Sequence, residues 1–353
     1  MVIRRWVLAP VLAALVASAA VSFSPALAQQ QIQPKAPKLD KAQQAEVQAA
    51  YAMVDAIAAG QAVPNDIGMS LRTDYLKAVN GLTFVPFVLS IDPAQVPASK
   101  SVILYLRLVA RTPAVAPAAK DKAPAKAPEF AFQGVHFIEL RTPAPGEPYR
   151  VTRAFSVPAG EYDLYVLLRE RSAAGKDKAA GPKAGYLRQL VTVPDLWTNE
   201  LTTSSVIVAE DLKPLDRPAT ADQISEQPYT IGANVVTPAS SSRMSKKGEL
   251  QVVYLVYNTG QDGQRKPDVA VEYGFYQKTA DKTEKFFNKT QPQMFNAATL
   301  PAQFDLAAGH NLLATQAIPL ASFPEGEYRL EIKITDKLSG KVITRNVLFS
   351  VVP

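Results

Sequence analysis

The chain has no cysteine. That absence excludes disulfides, thiol chemistry and a lipid anchor on an N-terminal cysteine. Histidine is nearly missing as well: His136 and His310 are the only 2 in 353 residues. A zinc site wants three or four His, Cys or acidic ligands at a workable spacing, and the sequence offers no such set. A Ser-His-Asp centre would need one of these histidines beside a serine on a strained turn, and no G-x-S-x-G occurs. Phosphate-binding and dinucleotide fingerprints are missing too. The reading is a non-enzymatic protein with no cofactor and no metal. Its formal net charge of +6 is too modest to mark a nucleic-acid binder.

Long hydrophobic runs are scarce. A bilayer span takes about 20 apolar residues, and the one stretch that approaches it, VLAPVLAALVASAAV, lies near the N-terminus. Arg4 and Arg5 precede it, Pro10 interrupts it, and Ala26 and Ala28 supply small residues ahead of Gln29. Residues 1–28 therefore read as a signal peptide. The mature protein is expected in the periplasm or outside the cell, without a membrane span. Losing Arg4 and Arg5 takes the net charge from +6 to +4.

What is present is a β pattern. Residues 29–62 read as a flexible leader and one helix, with Asp40 as its cap and Gly60 as its stop. Ala45, Val47, Ala50, Tyr51, Val54 and Ile57 give that helix an apolar stripe suited to packing on the following domain. Beyond Pro64 the period changes to two. IGMSLRTDYL, TFVPFVLSI and SVILYLRLVA read as strands, the last apolar on most of both faces and therefore central. Asn80-Gly81 marks a hairpin turn. Two Ala/Pro/Lys-rich insertions, 111–128 and 171–185, interrupt the strands.

One stretch is written twice. VPAGEYDLYVLL at 157–168 returns as FPEGEYRLEIKI at 323–334. In the second copy Tyr328, Leu330, Ile332 and Ile334 alternate with charged residues, so one face enters a core and the other meets water. Each copy is followed by a returning strand, so each closes a domain with a hairpin. SVILYLRLVA and FAFQGVHFIEL correspond more loosely to LQVVYLVYN and DVAVEYGFY. The expected fold is all-β: two tandem Ig-like antiparallel β-sandwich domains at 63–212 and 228–353, joined by a linker at 213–227, with one N-terminal α-helix.

Few residues invite a functional reading. His136 shares a strand face with Ile138 and Leu140, and His310 sits in a turn. Glu161, Glu325 and Glu327 lie on the duplicated corners, which suits structure better than glycosidase acids. NTGQDGQRKPD at 258–268 is rich in oxygen ligands but lacks EF-hand spacing. Lys120, Lys122, Lys126, Lys176, Lys178 and Lys183 put positive charge on the insertions, suiting a solubilising loop or contact with an anionic envelope surface. Tyr276, Phe286 and Phe287 surround the polar tip QKTADKTEK, as rim packing or as a surface for stacking sugars.

GELQVVYLVYN, PDVAVEYGF and IPLASFPEGEYRLEIKITDKLSGKVITRNVLFSV, with NGLTFVPFVLSIDP and VPDLWTNELTTSSVIVAE upstream, resemble β-sandwich regions of exported bacterial proteins. Those regions accompany von Willebrand factor A-type or GWxTD domains. The resemblance spans 65–353 and implies fold and export. No DxSxS metal motif, no βαβ alternation and no GWxTD string occurs here, so the companion domains' activities do not carry over. The reading that follows is an envelope protein that binds another protein through exposed strand edges. The alternative is a carbohydrate- or cell-wall-binding module.

Overall fold

The computed structural model describes residues 39–112, 130–171, 181–217 and 219–353. The signal peptide expected at 1–28, most of the expected leader and the bulk of both basic insertions lie outside the described residues.

Helix α1 (Lys41–Ala58) begins where Asp40 accepts a hydrogen bond from Gln43 N and the Gln43 side chain accepts one from Asp40 N. Eight strands follow: β1 (Met69–Thr73), β2 (Leu76–Lys77), β3 (Thr83–Ile91), β4 (Ser101–Ala110), β5 (Phe132–Glu139), β6 (Tyr149–Val157), β7 (Gly160–Glu170) and β8 (Ala184–Val193). One sheet places β3 between β6 and the β1–β2 edge, and the other has the order β5-β4-β7-β8. The core lies between them. Phe87, Leu89, Leu104, Leu106, Leu164 and Val166 are fully enclosed there.

Strand β4 is buried on both faces, as its composition requires. Val102, Leu104, Leu106 and Leu108 point into the sandwich. Ile103 and Tyr105 point outward, where with Tyr165 and Leu167 they meet Val47, Ala50, Val54 and Ile57 of α1. Spacings of three and four residues put those helix positions on one face. Burial of each of Val47, Val54 and Ile57 contributes roughly 1.5–3 kcal/mol, and the methyl of Ala50 less. Arg107, on the same strand face, is covered by the helix and reaches Asp55 at 2.5 Å.

A second sandwich follows, built from β9 (Thr202–Thr203), β10 (Ile207–Pro214), α2 (Ala221–Glu226), β11 (Thr230–Ile231), β12 (Asn234–Pro238), β13 (Arg243–Ser245), β14 (Glu249–Tyr257), β15 (Val269–Lys278), β16 (Glu284–Lys289), β17 (Gln293–Phe295), β18 (Leu312–Pro319), β19 (Gly326–Asp336) and β20 (Val342–Val352). One sheet runs β11-β12-β10-β14-β18 with β9 also on β14, and the other runs β13-β20-β19-β15-β16 with β17 also on β15. All pairings are antiparallel except β13 with β20.

The written-twice stretch occupies equivalent places. Gly160 and Gly326 open β7 and β19 with φ of 153° and 146°, a region that favours glycine. Two residues on, Tyr162 donates its hydroxyl to Pro158 O at 2.8 Å and Tyr328 donates to Pro324 O at 2.7 Å. This is the tyrosine corner of immunoglobulin-like sandwiches. The closing hairpins are β7–β8 and β19–β20.

Two sequence expectations differ from the structure. The looser correspondences are shifted by one strand. β15 pairs with β19 as β4 pairs with β7, so β4 matches β15, and β14, flanked by β18 on one side and by β9 and β10 on the other, matches β3 between β6 and the β1–β2 edge. β4 and β14 look alike in sequence because both are buried on two faces, not because they share a position. The chain also reaches the second sandwich before the expected linker. β9 and β10 already hydrogen-bond to β14, and the 213–227 stretch holds the end of β10 and the helix α2.

The two sandwiches meet across a packed joint. Leu76 and Val88 of the first are buried against Ile207, Ala209, Tyr229, Ile231, Val236 and Val253. Tyr75 and Ser205 exchange hydrogen bonds, Tyr75 N to Ser205 Oγ and Ser205 N to Tyr75 O, both at 2.9 Å. Trp197 Nε1 donates to Leu82 O at 2.8 Å, and Lys77 Nζ lies 4.6 Å over the Trp197 ring while donating to Asn258 Oδ1.

Candidate interaction surface

Three of the sequence candidates take structural roles. His136 lies on the core side of β5, half-buried, with its Nε2 sealed from water and without a partner. Burial, with Arg153 adding a like charge, pushes its pKa down to about 4. His310 Nδ1 accepts from Asp305 N in its turn. In the oxygen-rich loop, Asp262 Oδ1 accepts from Gln264 N and Lys266 N, and Arg265 pairs with Asp305. The buried Lys266 ammonium turns away from the loop's own carboxylates and donates to Pro301 O and Ala302 O at 2.7 and 3.1 Å. Among the described residues no group of three or more His, Cys, Asp or Glu is placed to hold a metal ion.

The corner acids project outward. Glu161 and Glu325 are exposed, and Glu327 pairs with Lys278 at 3.2 Å on the surface. Of the six insertion lysines, only Lys183 falls among the described residues, and it is exposed.

The aromatic trio is split by alternation along β16. Phe287 turns inward, 4.9 Å from the Phe323 ring and 5.6 Å from Tyr328. Phe286 turns outward and is 53% exposed. It packs edge-on against Tyr276, at 5.7 Å and 78°. Register then defines a row across the outer face of β16, β15, β19 and β20: Phe286 opposite Tyr276, Tyr276 opposite Arg329, and Arg329 opposite Leu348. Arg329 stacks over Tyr276 at 4.3 Å and is steadied by Glu284 and Glu331, each at 2.8 Å. Burial works against its charge, and the hydrogen bonds to these two acids outweigh that, so its pKa is raised. Leu348 is 60% exposed. Sequence reading missed Arg329 and Leu348, because alternation shows that they face outward but not that they line up with Tyr276.

Counted from Gly160 as Arg329 is from Gly326, the matching row in the first sandwich is Val109, Asp163 and Leu190, with Leu190 exposed, and α1 covers the same outer face farther along the strands, over Tyr105, Tyr165 and Leu167. The chain's own helix thus covers part of the first outer face, while the row on the second leaves Phe286 and Leu348 exposed at its two ends.

Paired sheets, equivalent hairpins and twin tyrosine corners define a tandem immunoglobulin-like β-sandwich protein. No family model matches the chain, and no curated protein matches it. Among solved structures, an immunoglobulin-like protein from Pseudomonas aeruginosa matches at 10% identity and a TM-score of 0.19, over 42% of this chain and 97% of that one. Salmonella alpha-2-macroglobulin reacted with methylamine matches at 13% identity and a TM-score of 0.19, over 82% of this chain. Escherichia coli alpha-2-macroglobulin activated by porcine elastase gives 11% and 0.23, again over 82%. The chain covers only 17% and 24% of those two macroglobulins, and likenesses this low carry nothing about activity.

Proposed function

We propose that this chain is an exported, non-enzymatic protein that binds another protein of the cell envelope through the outer face of its second sandwich. The observation that carries the reading is the row Phe286–Tyr276–Arg329–Leu348, with both ends more than half exposed. Aromatic residues and arginine are the types that dominate binding hot spots, and a pre-stacked Tyr-Arg pair loses little side-chain freedom on docking. Export rests on the signal peptide expected at 1–28. No helix among the described residues is long and apolar enough to cross a membrane. The edge-on angle between Phe286 and Tyr276 leaves no shared flat platform for a sugar ring, which favours the protein reading over the carbohydrate one.

The test is capture from an envelope extract with chemical cross-linking and mass spectrometry. It uses the mature protein, a Phe286→Ala/Leu348→Ala double variant, and a Leu190→Ala control on the first sandwich. A partner recovered by wild type and control, and reduced about tenfold or more with the double variant, supports the proposal. Equal recovery by all three, or recovery of the chain alone, refutes it. Saturable sedimentation with peptidoglycan that Phe286→Ala abolishes would shift the reading to a cell-wall module.

A further inference from the structure

Part of the first sandwich's outer face is left uncovered by the joint. Two adjoining hollows, of about 370 and 150 Å³, open there between strands β1 and β3 and the turn at Ala239 and Ser240 from the second sandwich. Register lays out the floor. Ser70 pairs with Ser90 and Ser90 with Arg150 across three strands, and Arg72 pairs with Val88 in the next rung. Ser70, Arg72, Ser90, Arg150 and Ser240 all line the smaller hollow.

The two guanidinium groups are held by the opposite sandwich. Arg72 Nη1 donates to Ala239 O at 3.1 Å, and Arg150 Nη2 donates to Pro238 O at 2.5 Å. Arg72 Nε lies 3.7 Å from Asp74, and Arg150 Nη1 lies 3.5 Å from the more exposed Glu210. Each guanidinium has five donors, and these contacts occupy only some of them. Burial lowers the pKa of Arg150, and Arg72 adds to that as a like charge close by, while Glu210 opposes it. Two cations kept side by side over a hydroxyl-lined floor are relieved by an anion between them. Asp92 lines the larger hollow but not the smaller, so the inner one is the anion-favouring end.

We propose that the smaller hollow binds an oxyanion, the carboxylate, phosphate or sulfate group of a ligand, through Arg72 and Arg150 with the hydroxyls of Ser70, Ser90 and Ser240. Guanidinium forks match such groups in geometry as well as charge. Clefts between domains are a usual place for ligand sites. Because the floor belongs to one sandwich and Ser240 to the other, a bound anion also ties the two together.

The experiment titrates the mature protein, ¹⁵N-labelled, with sodium phosphate, sodium sulfate and sodium acetate, each at ionic strength matched with sodium chloride. Amide shifts of Ser70, Ser90 and Ser240 are followed. Saturable shifts with at least one of the three support the site. Response to phosphate or sulfate alone assigns a tetrahedral anion, and response to acetate alone assigns a carboxylate. Arg150→Gln should weaken binding about tenfold or more. Ser90→Ala, which leaves both arginine–carbonyl contacts of the joint in place, should weaken it several-fold and decides the matter where Arg150→Gln perturbs folding. Shifts that stay linear for all three anions, or binding unchanged in Ser90→Ala and in folded Arg150→Gln, overturn the proposal.

Discussion

His136 should make the first sandwich lose stability in mild acid. Its imidazole is on the core side of β5, with Nε2 sealed and Arg153 of β6 nearby, and its pKa is pushed down from 6.5 to about 4. The unfolded chain takes up a proton near the ordinary value while the folded chain stays neutral. Stability from this group is therefore present above pH 6.5 and lost as pH falls towards 4. Linkage puts the loss at about 2 kcal/mol between pH 8 and pH 5, with a ceiling of about 3 kcal/mol in stronger acid. The charged group that acts on the ring is Arg153, which in turn feels Glu226 of α2.

The assay is urea unfolding followed by circular dichroism at several pH values, for wild type and His136→Gln. Glutamine does not titrate, so the quantity read is the difference in pH dependence, not the starting stability. Wild type should lose about 2 kcal/mol more than the variant between pH 8 and pH 5. An Arg153→Gln variant should shrink that difference by letting the His136 pKa rise. Parallel pH profiles for wild type and His136→Gln would refute the burial argument. So would an NMR titration placing the His136 midpoint near 6.5.

Tyr162→Phe and Tyr328→Phe should each cost about 1 kcal/mol by removing the hydroxyl that satisfies Pro158 O or Pro324 O. Urea midpoints showing one corner costly and the other neutral would deny their equivalence. Asp74, which accepts from Tyr229 at 2.7 Å inside the joint, has its pKa raised by burial against the opposing pull of Arg72 and Tyr229. Its charge therefore destabilises the fold as pH rises above 3.8, so Asp74→Asn should match or exceed wild-type stability at pH 7. Trp197 fluorescence, which senses the joint, checks this, and a loss above about 1 kcal/mol contradicts it. Lys266→Met should cost about 2 kcal/mol by stranding the carbonyls of Pro301 and Ala302. Millimolar-scale calcium should leave the wild-type melting temperature unchanged, and a calcium-dependent rise would show that the 258–268 loop binds the ion after all.

Alternation and turn chemistry made much of the architecture legible. Tyr328, Leu330, Ile332 and Ile334 face the core as their period-two spacing requires. The repeated glycine corner marks the same strand in both sandwiches, because its φ and its tyrosine hydrogen bond are local properties of a few consecutive residues. The α1 stripe at Val47, Ala50, Val54 and Ile57 was likewise readable, since a helix declares its buried face within its own turns. The candidate surface is legible only in part: the sequence brings Tyr276, Phe286 and Phe287 together around one polar tip, but the pleat turns Phe287 inward against Phe323 and Tyr328.

What tertiary structure alone decided is which buried face meets which. Val88 and Val253 are apolar in any reading, but only the folded chain sets them together in one joint with Tyr229. Tyr75 and Ser205, or Arg150 and Pro238, meet across long stretches of chain with no pattern linking them. Strand pairing is non-local: a period says that a side is hidden, never what hides it. For that reason the sequence by itself determined two sandwiches and their closing hairpins, while the joint, the aromatic-arginine row and the arginine-lined hollow came only from three-dimensional pairing.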